Sequence, residues 1–285
     1  MRQIAICEDI ESSSPLLSYT KAEAQKKSCA SMLSERPSFN FGSRSKFSRL
    51  KLVVTSVCNV GNHYCDAKIN PATRVTTAKE GIDLIRSAAE SDPRLRVIEV
   101  SGSGDALASD ETFKILRMVR DEFPYFTTCV ATNGLMLPQK IALLQDLGVN
   151  AVKVAVNAVD VEVGSQIYSH IRLNGKIVKG SEAFEILSIN QLEGLRNAAD
   201  AGMMVEVVAS YIPGVNSEHL VNVAKIARSL GAYVINIVPL ALSKRFVCLD
   251  APTEEEMTRL RRDCEDVCAS EVLLFMPAAL SHISV

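Results

Sequence analysis

Short β-branched runs alternate with amphipathic stretches from Lys51 onward, and this alternation restricts the fold more than any other feature of the chain. The pattern predicts helices that separate six strands near residues 51–57, 96–100, 127–131, 150–156, 204–210 and 233–238. Repeated strand–helix units form a parallel sheet with right-handed crossovers. Such a sheet could curve into a partial barrel or stay open as a doubly wound sheet, and periodicity alone does not choose between the two.

Local boundary signals support these units. Thr77 and Glu80 stand at the two ends of a capping-box pattern, which predicts that a helix begins there. A second helix is predicted over residues 110–123, because its apolar positions share one face and Pro124 follows it. Glycines follow three further helical segments, where a left-handed C-terminal cap is expected: Gly148, Gly202 and Gly231.

Length and composition favour one large α/β domain. The chain has 285 residues, of which 47 % are hydrophobic. We predict a polar, partly irregular N-terminal extension over residues 1–46, a barrel over 47–270 and an apolar tail over 271–285. The net charge of −2 and the lack of a long basic or apolar run indicate neither a nucleic-acid partner nor a membrane span. The expected location is the cytoplasm, and the oligomeric state is left open.

The most unusual motifs of the chain all follow predicted strands. The loops after parallel strands meet at one edge of the sheet, where functional groups collect. In chain order these motifs are the cysteine loop Cys58–Cys65, the turn Ser101–Asp105, the segments Thr132–Gly134 and Asn157–Asp160, and Pro239 with Leu240. We therefore expect a functional site at this rim.

Cys58 and Cys65 occupy the outer positions of a CxxxCxxC frame in which Asn62 stands at the middle position. Three thiolates at this spacing can wrap one corner of a 4Fe-4S cluster and leave the fourth iron open to a substrate. Asn62 offers only a neutral amide, which is a poor ligand for soft iron-sulfur chemistry. The adjacent His63 could supply a nitrogen ligand instead. The alternative interpretation is that Cys58 and Cys65 are two unpaired thiols in a loop and hold no cluster.

Several further segments occur together and in a fixed order: Gly102–Ala108, Ala131–Pro138, Asn157–Asp160, Ile171–Gly175, Gln191–Gly194, Ile212–Asn216 and Asn236–Leu240. With these residues the chain resembles the radical S-adenosylmethionine (SAM) proteins, and among them the NifB family of nitrogenase cofactor biosynthesis, from about Arg36 to Thr253. The resemblance implies a partial (β/α)6 barrel that holds a 4Fe-4S cluster and SAM. It also implies lyase-type reductive cleavage of SAM, assembly of an iron-sulfur precursor of the nitrogenase cofactor, and cluster donors or cofactor carriers as partner proteins.

The resemblance also implies roles for individual residues. Cys58 and Cys65 would ligate the cluster, and the backbone of Tyr64 would face the adenine of SAM. The small residues of the turn after the second strand would let the backbone approach the SAM amino group: Ser101, Gly102, Gly104 and Asp105. Three polar residues would hold the ribose or the methionine portion: Thr132, Asn133 and Asn157. No catalytic residue is predicted.

The chain departs from the family pattern at several ligand positions. It reads Arg36-Pro37-Ser38 where the family has His-Pro-Cys, and Arg44 where a further histidine is expected. Residues 66–74 lack the cysteine that follows the radical loop in the family, and no His-Cys-x-x-Cys follows Cys268. Two hypotheses follow. The chain is an enzyme that tolerates Asn62, or it is an inactive homologue that acts as a SAM-binding, scaffold or regulatory protein.

Overall fold

The computed structural model describes residues 47–64, 75–240, 252–268 and 273–275. The strands in these ranges are β1 (Ser48–Val53), β2 (Val60–Asn62), β3 (Leu95–Ser101), β4 (Thr127–Thr132), β5 (Ala151–Ala155), β6 (Tyr168–Leu173), β7 (Lys176–Lys179), β8 (Met204–Tyr211), β9 (Val234–Pro239) and β10 (Leu273–Phe275). The α-helices are α1 (Ala78–Ser91), α2 (Asp110–Glu122), α3 (Leu137–Asp146), α4 (Val161–Ile167), α5 (Gly180–Asp200), α6 (Leu220–Ser229) and α7 (Glu254–Cys268). The predicted N-terminal extension lies outside the described residues.

Strand order decides between the two architectures that the sequence allowed. Seven parallel strands form the main sheet in the order β1-β3-β4-β5-β8-β9-β10. Each strand therefore lies beside the next parallel strand of the chain, and the order never reverses as it does in a doubly wound sheet. The fold is a partial barrel of six β/α units, as the resemblance implied. The short strand β10 extends the sheet from within the segment that was predicted as an apolar tail.

One hydrophobic core joins the helices to the outer face of the sheet. Alternate strand residues such as Val100, Val152 and Val207 point to this face and pack with helix residues such as Ile85 and Leu116. Because strand side chains alternate between faces, the remaining residues of each strand point to the concave face. The concave face and the rim above it are therefore the part of the barrel that the helices leave uncovered.

Most predicted boundaries are confirmed. Thr77 and Glu80 form a capping box at the start of α1, and α2 ends at Glu122, before Pro124. The three glycines predicted as C-terminal caps have positive φ angles: Gly148, Gly202 and Gly231. No helix within the described ranges is long and apolar enough to cross a membrane.

The first strand was predicted too far along the chain. It covers Ser48–Val53 rather than residues 51–57. After Val53 the chain leaves the strand, and the carbonyl oxygen of Thr55 accepts hydrogen bonds from the N–H groups of Ser103 and Gly104. The β-branched residues that suggested a longer strand thus pair with the turn after β3.

A small antiparallel sheet was not predicted. It consists of β2, β6 and β7, and β6 and β7 form a hairpin closed by Asn174 and Gly175. Both residues have positive φ, 50° and 76°, as a tight two-residue hairpin turn requires. Tyr168 at the start of β6 stacks on Phe184 of α5 with 5.6 Å between ring centroids. The hairpin is thereby anchored, and it pairs with the cysteine loop through β2.

Candidate functional site

The ends of β1, β3 and β4 meet around Cys58. Asn133, which follows β4, donates a hydrogen bond from Nδ2 to Oδ1 of Asn59 at 2.7 Å. The same Nδ2 lies 3.8 Å from the sulfur of Cys58. The Cys58 thiol donates to the carbonyl of Val60 at 3.2 Å and is exposed. The structure thus brings Cys58 and Asn133 together, as the sequence predicted, and adds Asn59, which the sequence reading missed.

Asp105 lies beneath this cluster. Its side chain is buried, and Oδ1 accepts a hydrogen bond from the backbone N–H of Asn133 at 3.2 Å. Burial raises the pKa of the Asp105 carboxyl to about 6, although hydrogen bonds from Thr132 and from the Asn133 backbone act in the opposite direction. The carboxyl therefore ties the turn after β3 to the end of β4.

The glycine-rich turn packs against the segment that precedes Cys58. The N–H groups of Ser103 and Asp105 donate to the carbonyl oxygens of Thr55 and Val57 at 3.1 and 2.9 Å. A Cβ at Gly104 would overlap the backbone of Val57, and one at Gly102 would lie 2.8 Å from Cγ2 of Thr55. Glycine is thus required because two backbone segments meet here.

The remaining predicted residue of this turn also bonds to β1. The hydroxyl of Ser101 donates to the carbonyl oxygen of Leu52 at 3.3 Å. Ser101 is almost fully buried. Its side chain therefore helps to fix the strand from which the cysteine loop departs.

Asn157 is a hydrogen-bonding centre at the end of β5. Its Nδ2 donates to the hydroxyl oxygens of Tyr64 and Tyr168, at 2.6 and 3.0 Å. Its Oδ1 accepts from the N–H of Ser210 at 2.7 Å. The amide of Asn157 thus connects the cysteine loop, the hairpin and β8. The hydroxyl of Tyr64 joins this network, whereas the prediction concerned only its backbone.

Gln191 completes the rim from α5. Its Nε2 donates to the carbonyl oxygens of Asn133 and Ala155, both at 2.8 Å, so it joins the ends of β4 and β5. Gly134 has a positive φ of 87°, and a Cβ there would lie 2.8 Å from Cγ of Gln191. Thr132 accepts a hydrogen bond at Oγ1 from Gly134 at 3.1 Å. The segment Gln191–Gly194 was noted in the sequence without a role.

Buried polar atoms without a hydrogen-bond partner concentrate at this rim. In the described part of the chain there are seven such side-chain atoms, and five of them lie in the cysteine loop, in the turn after β3 or on Gln191. These five are Asn59 Nδ2, Asn62 Oδ1, Ser103 Oγ, Asp105 Oδ2 and Gln191 Oε1. Each such group costs about 1–3 kcal/mol unless a ligand or water bonds to it. The rim therefore carries polar groups whose hydrogen bonding within the protein is incomplete.

The other two atoms that lack a hydrogen bond, Glu206 Oε2 and Asn236 Oδ1, belong to a row of charged side chains and the adjacent Asn236 on the concave face, below the rim. Lys153 on β5 lies 3.1 Å from Glu99 and 3.5 Å from Glu206, and Glu99 also binds Arg49 at 2.7 Å. Asn236 on β9 donates to Glu206 at 3.5 Å. The sequence reading assigned Glu99, Lys153, Glu206 and Asn236 to strands but not Arg49, and it did not predict that these residues would pair.

The cysteine loop does not supply the donors of a three-thiolate cluster site. Cys58 is the one loop cysteine within the described residues, and Cys65 lies outside them. Asn62 lies in β2, and its buried Oδ1 is a hard, neutral donor. The described residues contain no group of three His, Cys, Asp or Glu side chains that could hold a metal ion. The polar rim fits SAM, whereas the loop donors do not fit a cluster held by three thiolates.

Comparison with known proteins places the chain in a class. The model of the radical SAM superfamily matches residues 52–227, which include the cysteine loop, the turn after β3 and Gln191. The chain therefore belongs to the radical SAM superfamily, whose members use a 4Fe-4S cluster and SAM. Within it the chain belongs to the NifB family. It is 31 % identical to the FeMo cofactor biosynthesis protein NifB of Methanocaldococcus jannaschii over 238 residues, which cover 80 % of this chain and 79 % of that protein.

Two further comparisons define the extent of the similarity. The chain is 34 % identical to the protein of the same name from Klebsiella pneumoniae, over 72 % of this chain but only 46 % of that protein. It thus spans about half the length of that relative. Among solved structures, a radical SAM methyltransferase from Sphaerobacter thermophilus matches with a TM-score of 0.61 and 20 % identity, over 82 % of this chain and 68 % of that one. At this identity the structural match supports the fold alone.

Proposed function

We propose that this protein serves in the biosynthesis of the nitrogenase FeMo cofactor, the role for which its NifB relatives are named, and that it binds SAM at the rim around Cys58. The observation that carries the SAM site is the group of five buried, unpartnered polar atoms at the strand ends. Both donors and acceptors occur among them, as the amino, carboxylate and ribose groups of SAM require.

The roles within this site follow from the contacts. Asp105 and Ser103 offer acceptor oxygens to the amino group, and Asn59, whose side chain also hydrogen-bonds to the Asp105 carboxyl, offers its amide group to the carboxylate. Gln191, whose side chain also hydrogen-bonds to Tyr168, offers Oε1 as an acceptor for a ribose hydroxyl. Thr132, Asn133 and Asn157 are occupied with other protein groups, so they hold the rim in shape and position these residues.

A second candidate function is SAM binding without reductive cleavage. Asn62 favours it, because the amide replaces one of the three thiolates that hold the cluster in a radical SAM site. In that case the protein acts in cofactor assembly as a SAM-binding scaffold or regulator. In either case its partners are proteins that handle iron-sulfur clusters or the cofactor.

Anaerobic reconstitution separates the two functions. The purified protein is incubated with iron and sulfide, bound iron is counted, and EPR spectra of the reduced state are recorded with and without SAM. A four-iron signal that shifts on addition of SAM supports the enzyme. SAM binding by calorimetry without such a signal supports the binding protein. Failure to bind SAM under both conditions contradicts the proposed site.

The variant Asn62→Cys tests the loop directly, with Asn62→Ser as the matched control. If Asn62 is the main obstacle to cluster binding, the cysteine variant gains a four-iron signal and SAM cleavage. The serine variant has no thiolate and gains neither. If neither variant gains a cluster, the loss of radical chemistry extends beyond this position.

A further inference from the structure

Two loops of the rim are joined by a pair of side chains that the proposed SAM site does not use. The loop between β8 and α6 contains Asn216 and His219, and the loop between β5 and α4 contains Asn157 and Val159. We call Asn216 and His219 the rim clamp. The sequence segment Ile212–Asn216 was noted as a family motif, whereas no functional role was predicted for His219.

Asn216 is the fixed half of the rim clamp. It is fully buried, and its Nδ2 donates to the carbonyl oxygens of Asn157 and Ser210 at 3.0 and 2.8 Å. Its Oδ1 accepts from the N–H of Ile212 at 2.7 Å. All hydrogen-bonding groups of this amide side chain are therefore engaged, and none of them changes charge near neutral pH.

His219 is the half of the rim clamp that can change charge. Its Nε2 accepts a hydrogen bond from the backbone N–H of Val159 at 3.0 Å. Nε2 can accept only when it carries no proton, so the imidazole must be neutral with its proton on Nδ1. On protonation Nε2 becomes a donor, and the N–H of Val159 faces another N–H. The contact is then repulsive.

The surroundings of His219 favour the neutral form. The ring is partly buried, and burial lowers its pKa from the ordinary value of 6.5, while the carboxylate of Asp160 acts in the opposite direction. Asp160 caps α4 by accepting from the N–H of Glu162 at 2.8 Å. Glu218 is the charged neighbour of His219 in the chain. The contact is therefore retained at neutral pH and is lost as the pH falls through the pKa of His219, which lies below 6.5.

We propose that His219 is a positioning residue that holds the β5–α4 loop, and with it Asn157, in the conformation that receives SAM, and that it does so only as the neutral imidazole. This inference rests on the proposed SAM site. Asn157 in turn binds the hydroxyls of Tyr64 and Tyr168. A displaced β5–α4 loop therefore also disturbs the cysteine loop. SAM affinity becomes sensitive to pH through a residue that does not touch SAM.

The test uses calorimetric SAM affinity at pH about 7.5 and about 5.5, on either side of the ordinary histidine pKa. Asp105 in the proposed SAM site has a pKa of about 6 and changes the affinity of every variant over this range, so the variants are compared with one another. The wild type is expected to lose about fivefold more affinity at the lower pH than His219→Gln does, the effect of losing one neutral hydrogen bond. His219→Gln places an acceptor oxygen near the position of Nε2 without titrating, so only the dependence due to Asp105 remains. His219→Asn is too short to reach Val159 and is expected to bind weakly at both pH values.

The proposal is overturned if the wild type and His219→Gln show the same pH dependence, or if His219→Asn binds as tightly as His219→Gln at neutral pH. A second readout separates this inference from the SAM site itself. Amide hydrogen exchange of Val159 at one pH is expected to be faster in His219→Asn than in His219→Gln. If neither the wild type nor any variant binds SAM, the proposed SAM site is refuted. If the Val159 amide also exchanges at the same rate in His219→Asn and His219→Gln, the positioning role of His219 is refuted as well.

Discussion

The charged row on the concave face allows a quantitative test, because Lys153 is a cation shared by two buried carboxylates. Its Nζ lies 3.1 Å from Glu99 and 3.5 Å from Glu206, whose side chains are only 3 % and 1 % exposed. Burial acts to lower the pKa of Lys153, but Glu206 and Glu99 outweigh it and raise the pKa. The lysine is therefore charged at neutral pH. Lys153→Met removes the charge and keeps a side chain of similar length.

The expected loss of folding stability in Lys153→Met follows from the cations that remain beside each carboxylate. Glu99 keeps its ion pair with Arg49 at 2.7 Å. Glu206 loses its nearest cation, and burial already raises its pKa. Removal of one partner from a buried ion pair costs about 3–5 kcal/mol. We expect a value near the lower limit, about 3 kcal/mol, because only Glu206 is left without a cation and methionine fills most of the volume.

The assay is urea-induced unfolding followed by far-UV circular dichroism, since the chain has no tryptophan. The control is the double variant Lys153→Met with Glu206→Gln, in which the buried charge without a cation is also removed. It is expected to be more stable than Lys153→Met by about 1 kcal/mol or more, the cost of an unmatched buried polar group. If Lys153→Met costs less than about 1 kcal/mol, and the double variant is no more stable than the single one, the buried row does not contribute as inferred.

Two further predictions concern pH and the glycine-rich turn. Burial would raise the pKa of Glu99, but Lys153 and Arg49 outweigh burial and hold it at about 2, below the ordinary 4.5. The stability due to ionised Glu99 is therefore present above pH 4.5 and is lost as the pH falls towards 2. In acid unfolding, the stability difference between the wild type and Glu99→Gln should shrink over this interval, and a constant difference would contradict this assignment. Gly104→Ala should cost about 2 kcal/mol or more and weaken SAM binding, because its Cβ overlaps the Val57 backbone. Gly202→Ala, with positive φ but no neighbour within 4 Å, should cost only about 1 kcal/mol and leave SAM binding unchanged.

The sequence by itself determined the repeating units of the fold. The strands near residues 96–100, 127–131, 204–210 and 233–238 are found within one or two residues of their predicted positions. Buried parallel strands are continuous apolar runs, so their signal is local and does not depend on their neighbours. The caps of α1 and of the later helices were predictable for the same reason, since capping involves residues within one turn of the helix.

The short antiparallel strands could not be predicted from the sequence. Lys176–Lys179 is mostly exposed, and Val60–Asn62 has only three residues, so neither has a clear apolar pattern. These strands exist because the hairpin pairs with the cysteine loop, and Tyr168 at its start packs on α5. Such pairing is a contact between distant segments, which local propensity does not determine.

The sequence also predicted which loops form the rim, because residues that follow parallel strands must meet at one edge of a sheet. Only the tertiary structure decided what each side chain does there. Asn157 is engaged by two tyrosines and β8, and His219 reaches across 60 residues of chain to Val159. The order of the strands likewise brought Glu99 and Lys153 within 3.1 Å of each other. Strand propensity is encoded locally, whereas pairing between buried polar groups depends on which strands become neighbours.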